Sequence, residues 1–255
     1  MKIISIANLK GGVGKTETAI NMSCVLADMG KRVLIVDNDI QCNTSKFFEL
    51  IGMKPSIVEV FQSSGDKEIL QAAIKNTKNK NLSILPSTMD LAAVNIEMAK
   101  NGEVTILHDC LRELENDFDY IIIDNAPNMT PNVINAIIAS NDIIVPTDID
   151  EYGLDGLDNI REQVQIARES GLNDSIKIVG VLITKYNART KVDRQGAEEL
   201  RKCPENKLFD NMINLTVEVK KAKFNKIPLV KYARRNPAAQ AYIGFVNEYL
   251  KREGE

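Results

Sequence analysis

The stretch that decides the fold is Lys10-Gly11-Gly12-Val13-Gly14-Lys15-Thr16, which follows an apolar run and precedes a helical pattern from Glu17 through Leu26. Glycines in this arrangement let backbone N–H groups turn towards phosphate oxygens, because a Cβ would block the approach. The positive end of the following helix adds to the attraction. Lys15 is placed to reach the β- and γ-phosphates of a nucleotide, and the Thr16 hydroxyl to bind Mg²⁺. Glycine-rich turns also occur where the backbone only has to pack tightly and no phosphate is bound. The order of strand, glycines, Lys-Thr and helix nevertheless favours a phosphate loop.

The rest of the chain repeats short apolar runs separated by helical patterns. The runs lack the alternation of half-buried strands, which suits strands buried on both faces. We therefore predict right-handed crossovers and an α/β fold in which helices flank a mostly parallel sheet, as one domain over residues 1–255. The predicted strands are Ile3 to Ala7, Arg32 to Val36, Leu82 to Leu85, Tyr120 to Ile123, Asp142 to Val145 and Ile176 to Ile183. Helical spacing relates Ile106, Leu107, Cys110, Leu111 and Leu114, and also Leu154, Leu157, Ile160, Val164 and Ala167.

Composition excludes several classes of protein. A chain of 255 residues with 44% hydrophobic and 26% charged residues is not disordered, collagenous or a coiled coil. The four cysteines form no CxxC pair, which argues against a zinc ribbon and for a reducing compartment. No apolar run approaches the roughly 20 residues that span a bilayer, and Met1-Lys2 leads into a strand without a signal-peptide cleavage region. We expect a soluble cytoplasmic protein.

Acidic residues follow two of the predicted strands. Asp37 and Asp39 come at the carboxyl end of the second strand, where open α/β sheets place their ligands. Phosphoryl transfer needs mainly positioning and charge neutralisation, so one acid near the γ-phosphate is sufficient. Either aspartate could instead cap the next helix. The strand from Tyr120 to Ile123 runs into Asp124-Asn125-Ala126-Pro127, which has the form of a Walker B strand or of a strand followed by an Asx turn. We expect Asp124 to hold Mg²⁺ through water.

The lysine before the glycines carries a resemblance to a known family. Lys10 preceding GGVGKT resembles the signature lysine of the deviant Walker A ATPases, which include the ParA, Soj and MinD proteins and the nitrogenase iron protein; alone it would be a solvated loop lysine. The segment from Asp37 resembles the ParA pattern DxDPQGNxT, with Ile40 and Cys42 as departures. The Walker B strand, Val181 to Arg189 and the stretch from Ile227 to Tyr242 are also similar to ParA and Soj partition ATPases. The resemblance covers essentially the whole chain.

This resemblance implies an ATPase that needs Mg²⁺ and forms an ATP-sandwich homodimer, weakly active unless stimulated. Lys10 would reach the phosphates bound by the partner subunit, Asp39 would orient or deprotonate the attacking water, and Asp37 would support the magnesium shell. Glu17 stands where Thr is usual, and we expect it to act through its backbone N–H. Asn187 lies where related folds build the base pocket, although Asn at a strand end is also a turn former. The predicted catalytic residues are Lys10, Lys15 and Asp39; the nucleotide contacts are Lys10, Gly11, Gly12, Val13, Gly14, Lys15, Thr16, Glu17 and Asn187; and the metal ligands are Thr16, Asp37 and Asp124.

Within this group the sequence favours DNA partition. The nitrogenase type needs cysteine ligands for a 4Fe–4S cluster, and Asp124 to Thr147 contains none. MinD-type proteins end in a basic amphipathic helix, whereas Glu248 to Glu255 carries acids and Gly, so membrane binding is the second choice. A non-hydrolysing nucleotide-dependent scaffold remains a further alternative.

A basic cluster supports DNA as the partner. Seven cations and no acid occur between Lys220 and Arg235, a composition suited to sequence-independent contact with the phosphate backbone or to a solvated face. We expect non-specific binding to double-stranded DNA, association with the nucleoid, and stimulation by a ParB-like centromere-binding protein. The cations are Lys220, Lys221, Lys223, Lys226, Lys231, Arg234 and Arg235, and all of them except Lys231 are predicted DNA contacts.

Overall fold

A computed structural model describes residues 1–149 and 155–254, which form a seven-stranded sheet. The strands occur in the order β3-β4-β2-β5-β1-β6-β7, and β3 alone among them runs antiparallel to its neighbour. The predicted mostly parallel sheet is confirmed. The two-residue β3 was not predicted, since Lys75-Asn76 carries no apolar run. The strands are β1 (Lys2–Ile6), β2 (Val33–Asn38), β3 (Lys75–Asn76), β4 (Leu82–Leu85), β5 (Tyr120–Asn125), β6 (Asp142–Thr147) and β7 (Lys177–Ile183).

Helices connect the strands and cover both faces of the sheet. The predicted helix after the phosphate loop is confirmed, and it begins at Lys15 and ends at Asp28. Leu154 lies outside the described residues, whereas the other members of its predicted stripe are buried on α8. Among the described residues, no helix is long and apolar enough to cross a bilayer. The helices are α1 (Lys15–Asp28), α2 (Asn43–Phe47), α3 (Ile57–Gln62), α4 (Lys67–Ala73), α5 (Leu91–Asn101), α6 (Ile106–Arg112), α7 (Pro131–Ala139), α8 (Asp155–Glu169), α9 (Lys191–Lys202), α10 (Glu218–Phe224), α11 (Leu229–Tyr232) and α12 (Pro237–Arg252), with a 3₁₀ helix at Pro204–Asn206.

The core lies on both sides of the central strands. All six residues of β5 are buried, and they alternate between the two faces. Ile122 packs on the side covered by α1 and α12, whereas Ile121 and Ile123 pack on the side covered by α3, α5, α6 and α7. This arrangement explains why the strand is apolar without alternation.

The strand register brings the predicted site residues to one edge of the sheet. Asp124 in β5 pairs with Ile6 at the end of β1 on one side and with Asp37 in β2 on the other. The loop after β1 and the loop after β2 therefore both lie beside Asp124.

Candidate active site

The loop between β1 and α1 has the backbone conformation that its glycines allow. Gly12 has φ 77° and Gly14 has φ 85°, in the left-handed region that side chains disfavour. A Cβ on Gly11 or Gly12 would meet no atom within 4 Å, and both residues line a cavity of about 290 Å³. The loop is thus an open cradle at the start of α1, which is the geometry of an anion site.

Lys15 lies under this loop with its ammonium group directed back to it. Its Nζ donates to the carbonyl oxygens of Asn8 at 2.9 Å and of Lys10 at 3.0 Å, and the residue is buried while it lines the cavity. Burial lowers the pKa of Lys15, and the carboxylates of Asp124 and Asp39 oppose this shift. The site therefore has a fixed cation next to its acids.

A threonine that the sequence did not reveal holds the loop in place. Thr184 follows β7, and its Oγ1 donates to the carbonyl oxygen of Val13 at 2.8 Å. Its methyl carbon lies 3.5 Å from the position of a Cβ on Gly14. The Val13 side chain is fully buried, so a nucleotide contact from this residue would come from its backbone.

Asp124 has an unsatisfied oxygen where the sequence predicts a metal. Its Oδ2 accepts from the Thr44 hydroxyl at 2.7 Å, while Oδ1 is buried and accepts no hydrogen bond from any described residue. Burial raises the pKa of Asp124 to about 6, and hydrogen bonds from Thr44 and Thr16 oppose this shift. Buried polar atoms are normally satisfied, and a water held by Mg²⁺ would satisfy this one. Thr16 and Asp124 therefore fit the predicted metal.

The two acids after β2 have different surroundings. Asp37 is fully buried, and its Oδ2 accepts from the Ser45 N–H and the Ser45 hydroxyl, both at 2.7 Å. These bonds cap α2, the alternative that the sequence left open, so the metal role of Asp37 stays a prediction. Burial raises the pKa of Asp37 to about 7, helped by the charge of Asp124. Asp39 accepts from the Gln41 N–H at 2.8 Å and lines the cavity of the phosphate loop.

The predicted signature lysine has a partner within the chain. Lys10 Nζ lies 2.7 Å from Asp148 Oδ1, and Asp148 also contacts Lys185 at 3.1 Å. Burial raises the pKa of Asp148, but the hydrogen bonds from the two lysines outweigh it and hold the pKa below its usual value. A contact from Lys10 to a partner subunit would have to replace this ion pair.

Asn187 takes part in a turn. Its Oδ1 accepts from the Arg189 N–H at 3.1 Å, and its own N–H donates to Asp193 at 2.7 Å. These contacts form the turn that precedes α9, so Asn187 acts here as a turn-forming residue. The predicted adenine contact stays a prediction.

The basic cluster of residues 220–235 is spread over α10, α11 and the segments that follow these two helices. Lys221 pairs with Glu218 at 2.7 Å and Lys231 with Asp28 at 3.0 Å. Lys223 lines the phosphate-loop cavity, which the sequence did not indicate. Arg234 and Arg235, together with Lys220 and Lys226, are exposed. DNA binding by these residues stays a prediction.

A larger cavity adjoins the site. It has a volume of about 630 Å³ and shares Asp39, Gln41 and Pro127 with the phosphate-loop cavity. Its other walls come from α5 and the start of α7. Residues of the loops after β2 and β5 therefore line both cavities.

Known proteins resemble this chain over nearly its full length. Residues 1–178 match the model of a family described as an AAA domain. The chain is 34% identical over 250 residues to the sporulation initiation inhibitor protein Soj of Bacillus subtilis (strain 168), with 97% of each chain covered. It is 31% identical over 258 residues to the chromosome partitioning protein ParA of Caulobacter vibrioides (strain NA1000 / CB15N), with 99% of this chain and 95% of that protein covered. A crystal structure of cobyrinic acid a,c-diamide synthase from Mycobacterium smegmatis, with a bound ATP analogue and magnesium, matches with a TM-score of 0.83 at 25% identity, covering 100% of this chain and 96% of that chain.

Proposed function

Because the chain belongs to the AAA-domain family of the ParA and Soj partitioning ATPases, we propose that it hydrolyses Mg·ATP to partition or position a cargo. The observation that carries this proposal is the set of groups around the phosphate-loop cavity. Lys15 and Asp39 line it, and Asp124 lies behind it with an unsatisfied oxygen. This set supplies a cation for phosphate, a site for Mg²⁺ and an acid for water.

Each residue has a role that follows from its position. The loop N–H groups and Lys15 bind the phosphates and neutralise charge that develops in the transition state. Thr16 and Asp124 would hold Mg²⁺, which adds further neutralising charge when it is bound. Asp39 orients the attacking water and accepts its proton.

Isothermal titration of Mg·ATP into the parent protein and into Lys15→Ala tests this proposal. We expect the variant to lose binding or hydrolysis, because Lys15 is the cation held beneath the phosphate loop. A Lys251→Gln variant, which changes an exposed cation on α12, is the control and should bind as the parent does. Equal ATP affinity and turnover in Lys15→Ala and the parent would refute the assignment.

We further propose that ATP converts the protein into a sandwich homodimer, in which Lys10 leaves Asp148 and contacts the partner's nucleotide. Sedimentation velocity of the parent in ATP and in ADP tests this step. The expected result is a larger species in ATP only, and its loss in Lys10→Ala. Equal masses of the parent in both nucleotides would contradict it.

We propose that the protein binds double-stranded DNA non-specifically and acts on the nucleoid. A ParB-like protein is the proposed stimulating partner. The exposed Arg234 and Arg235 support this proposal, since exposed cations give sequence-independent contacts.

Residues 1–255 are proposed to form one folding unit, supported by the packing of α12 in the same core as α1. A single cooperative thermal transition would agree with one unit, and two transitions would not.

Action at a membrane or on another cargo is the second candidate. Phe224 is 87% exposed and stands among the lysines of the basic cluster, a mixture that also occurs on surfaces that bind anionic lipid. Co-sedimentation with anionic vesicles in ATP, set against retention by DNA under the same salt, separates the two candidates.

A further inference from the structure

The wall of the phosphate-loop cavity carries an unusual balance of charge. Four of its lining residues are ionisable: Lys15, Glu17, Asp39 and Lys223. Lys15 and Lys223 are cations, whereas Glu17 and Asp39 are acids. Without Lys223, a polyphosphate would enter a cavity whose wall holds one cation and two carboxylates.

Glu17 is the unfavourable member of this set. It occupies the first turn of α1, directly after Thr16, and it is half-buried. The charge of Lys223 acts on the Glu17 carboxyl and favours its ionised form. A carboxylate at this position repels the same anion that the loop N–H groups attract.

Lys223 is a cation with spare bonding capacity. Its neighbours in the basic cluster, Lys221 and Lys231, are paired with Glu218 and Asp28. In the described part of the chain, the Lys223 ammonium makes no ion pair within 4.0 Å. It belongs to α10, which the chain reaches more than 200 residues after the phosphate loop.

We propose that Lys223 is a nucleotide ligand, which binds the polyphosphate from α10 and offsets the negative charge of Glu17. This inference rests on the proposed nucleotide function of the same cavity. It assigns Lys223 to the nucleotide rather than to the DNA, where the sequence placed it. It also makes α10 a wall of the nucleotide site, so that a bound nucleotide fixes the position of this helix.

Anisotropy titration of a fluorescent ADP derivative with Mg²⁺ and without DNA tests the proposal. Lys223→Gln should weaken binding about tenfold, the loss of one charge-assisted contact of about 1.4 kcal/mol. Lys223→Arg should retain most of the affinity, and Lys251→Gln, an exposed cation on α12, should bind within about twofold of the parent. Thermal unfolding of each variant checks that the fold is intact.

A double-mutant cycle with Glu17→Gln identifies the coupling between the two side chains. Removal of the carboxylate should improve ADP binding more in the Lys223→Gln background than in the parent, because Lys223 no longer offsets it. Equal effects in both backgrounds, or an affinity of Lys223→Gln equal to that of Lys251→Gln, would overturn the inference while leaving the proposed function intact. A parent protein that binds neither Mg·ADP nor Mg·ATP would overturn both.

Discussion

Replacement of Asp124 by Asn should stabilise the protein without nucleotide while it removes the response to Mg²⁺. The carboxyl is buried beside Asp39, and its pKa is about 6 against a usual 3.8. A carboxyl whose folded pKa lies above its unfolded value destabilises the fold at high pH, here by about 3 kcal/mol at neutral pH. The new amide N–H₂ is a buried donor in place of the unpaired Oδ1. Leaving this donor without an acceptor costs roughly 1–3 kcal/mol of stability. The net gain is about 1 kcal/mol, or about 2–4 °C in Tm for a chain of this size.

The pH dependence of this gain reports the burial of the Asp124 carboxyl and its repulsion of Asp37. The destabilisation is full above pH 6 and disappears as the pH falls through the folded pKa towards the unfolded one. The difference in stability between variant and parent should shrink by roughly 1 kcal/mol between pH 8 and pH 5. Differential scanning calorimetry in EDTA at both pH values measures it. A difference that stays constant with pH would show that an ionised Asp124 does not destabilise the fold.

Asp119→Asn is a matched control with the opposite sign. Asp119 precedes β5, and hydrogen bonds from Arg32 hold its pKa below the usual value. Its contribution is present at neutral pH and is lost as the pH falls through the folded pKa. The control should therefore lower Tm slightly at pH 8, since the pair is partly exposed.

Three further variants test the site. Asp39→Ala should lower kcat far more than it weakens ATP binding, because a water-positioning acid acts chiefly in the transition state; hydrolysis at the parental rate would make Asp39 structural. Thr184→Val leaves the Val13 carbonyl oxygen without its donor and should cost about 1–3 kcal/mol of stability together with nucleotide affinity, whereas Thr184→Ser keeps both the hydroxyl and the affinity. Arg234→Ala with Arg235→Ala should weaken binding to every duplex and flatten its salt dependence, with ATP binding intact; equal DNA binding in ADP and ATP would contradict this.

The sheet and the phosphate loop could be predicted because their signals are local. Each central strand is a continuous apolar run, and the motif from Lys10 to Thr16 specifies its own turn and helix start. The hydrogen bond from Thr184 to this loop could not be predicted, since 171 residues separate Thr184 from Val13. The position of Lys223 in the wall of the cavity could not be predicted either, because no local pattern marks it. The sequence left the role of Asp37 open between a metal ligand and a helix cap for a related reason. A carboxylate after a strand occurs in the same local sequence whether it binds a metal or caps the next helix.

Multiple-turnover release of phosphate from Mg·ATP, measured with and without DNA, shows whether the protein hydrolyses ATP. We expect slow release that exceeds one phosphate per protein molecule and that is abolished in Lys15→Ala. Release that stops at or below one equivalent, in the parent protein under both conditions, would show that ATP is bound without being turned over and would contradict the proposed hydrolysis.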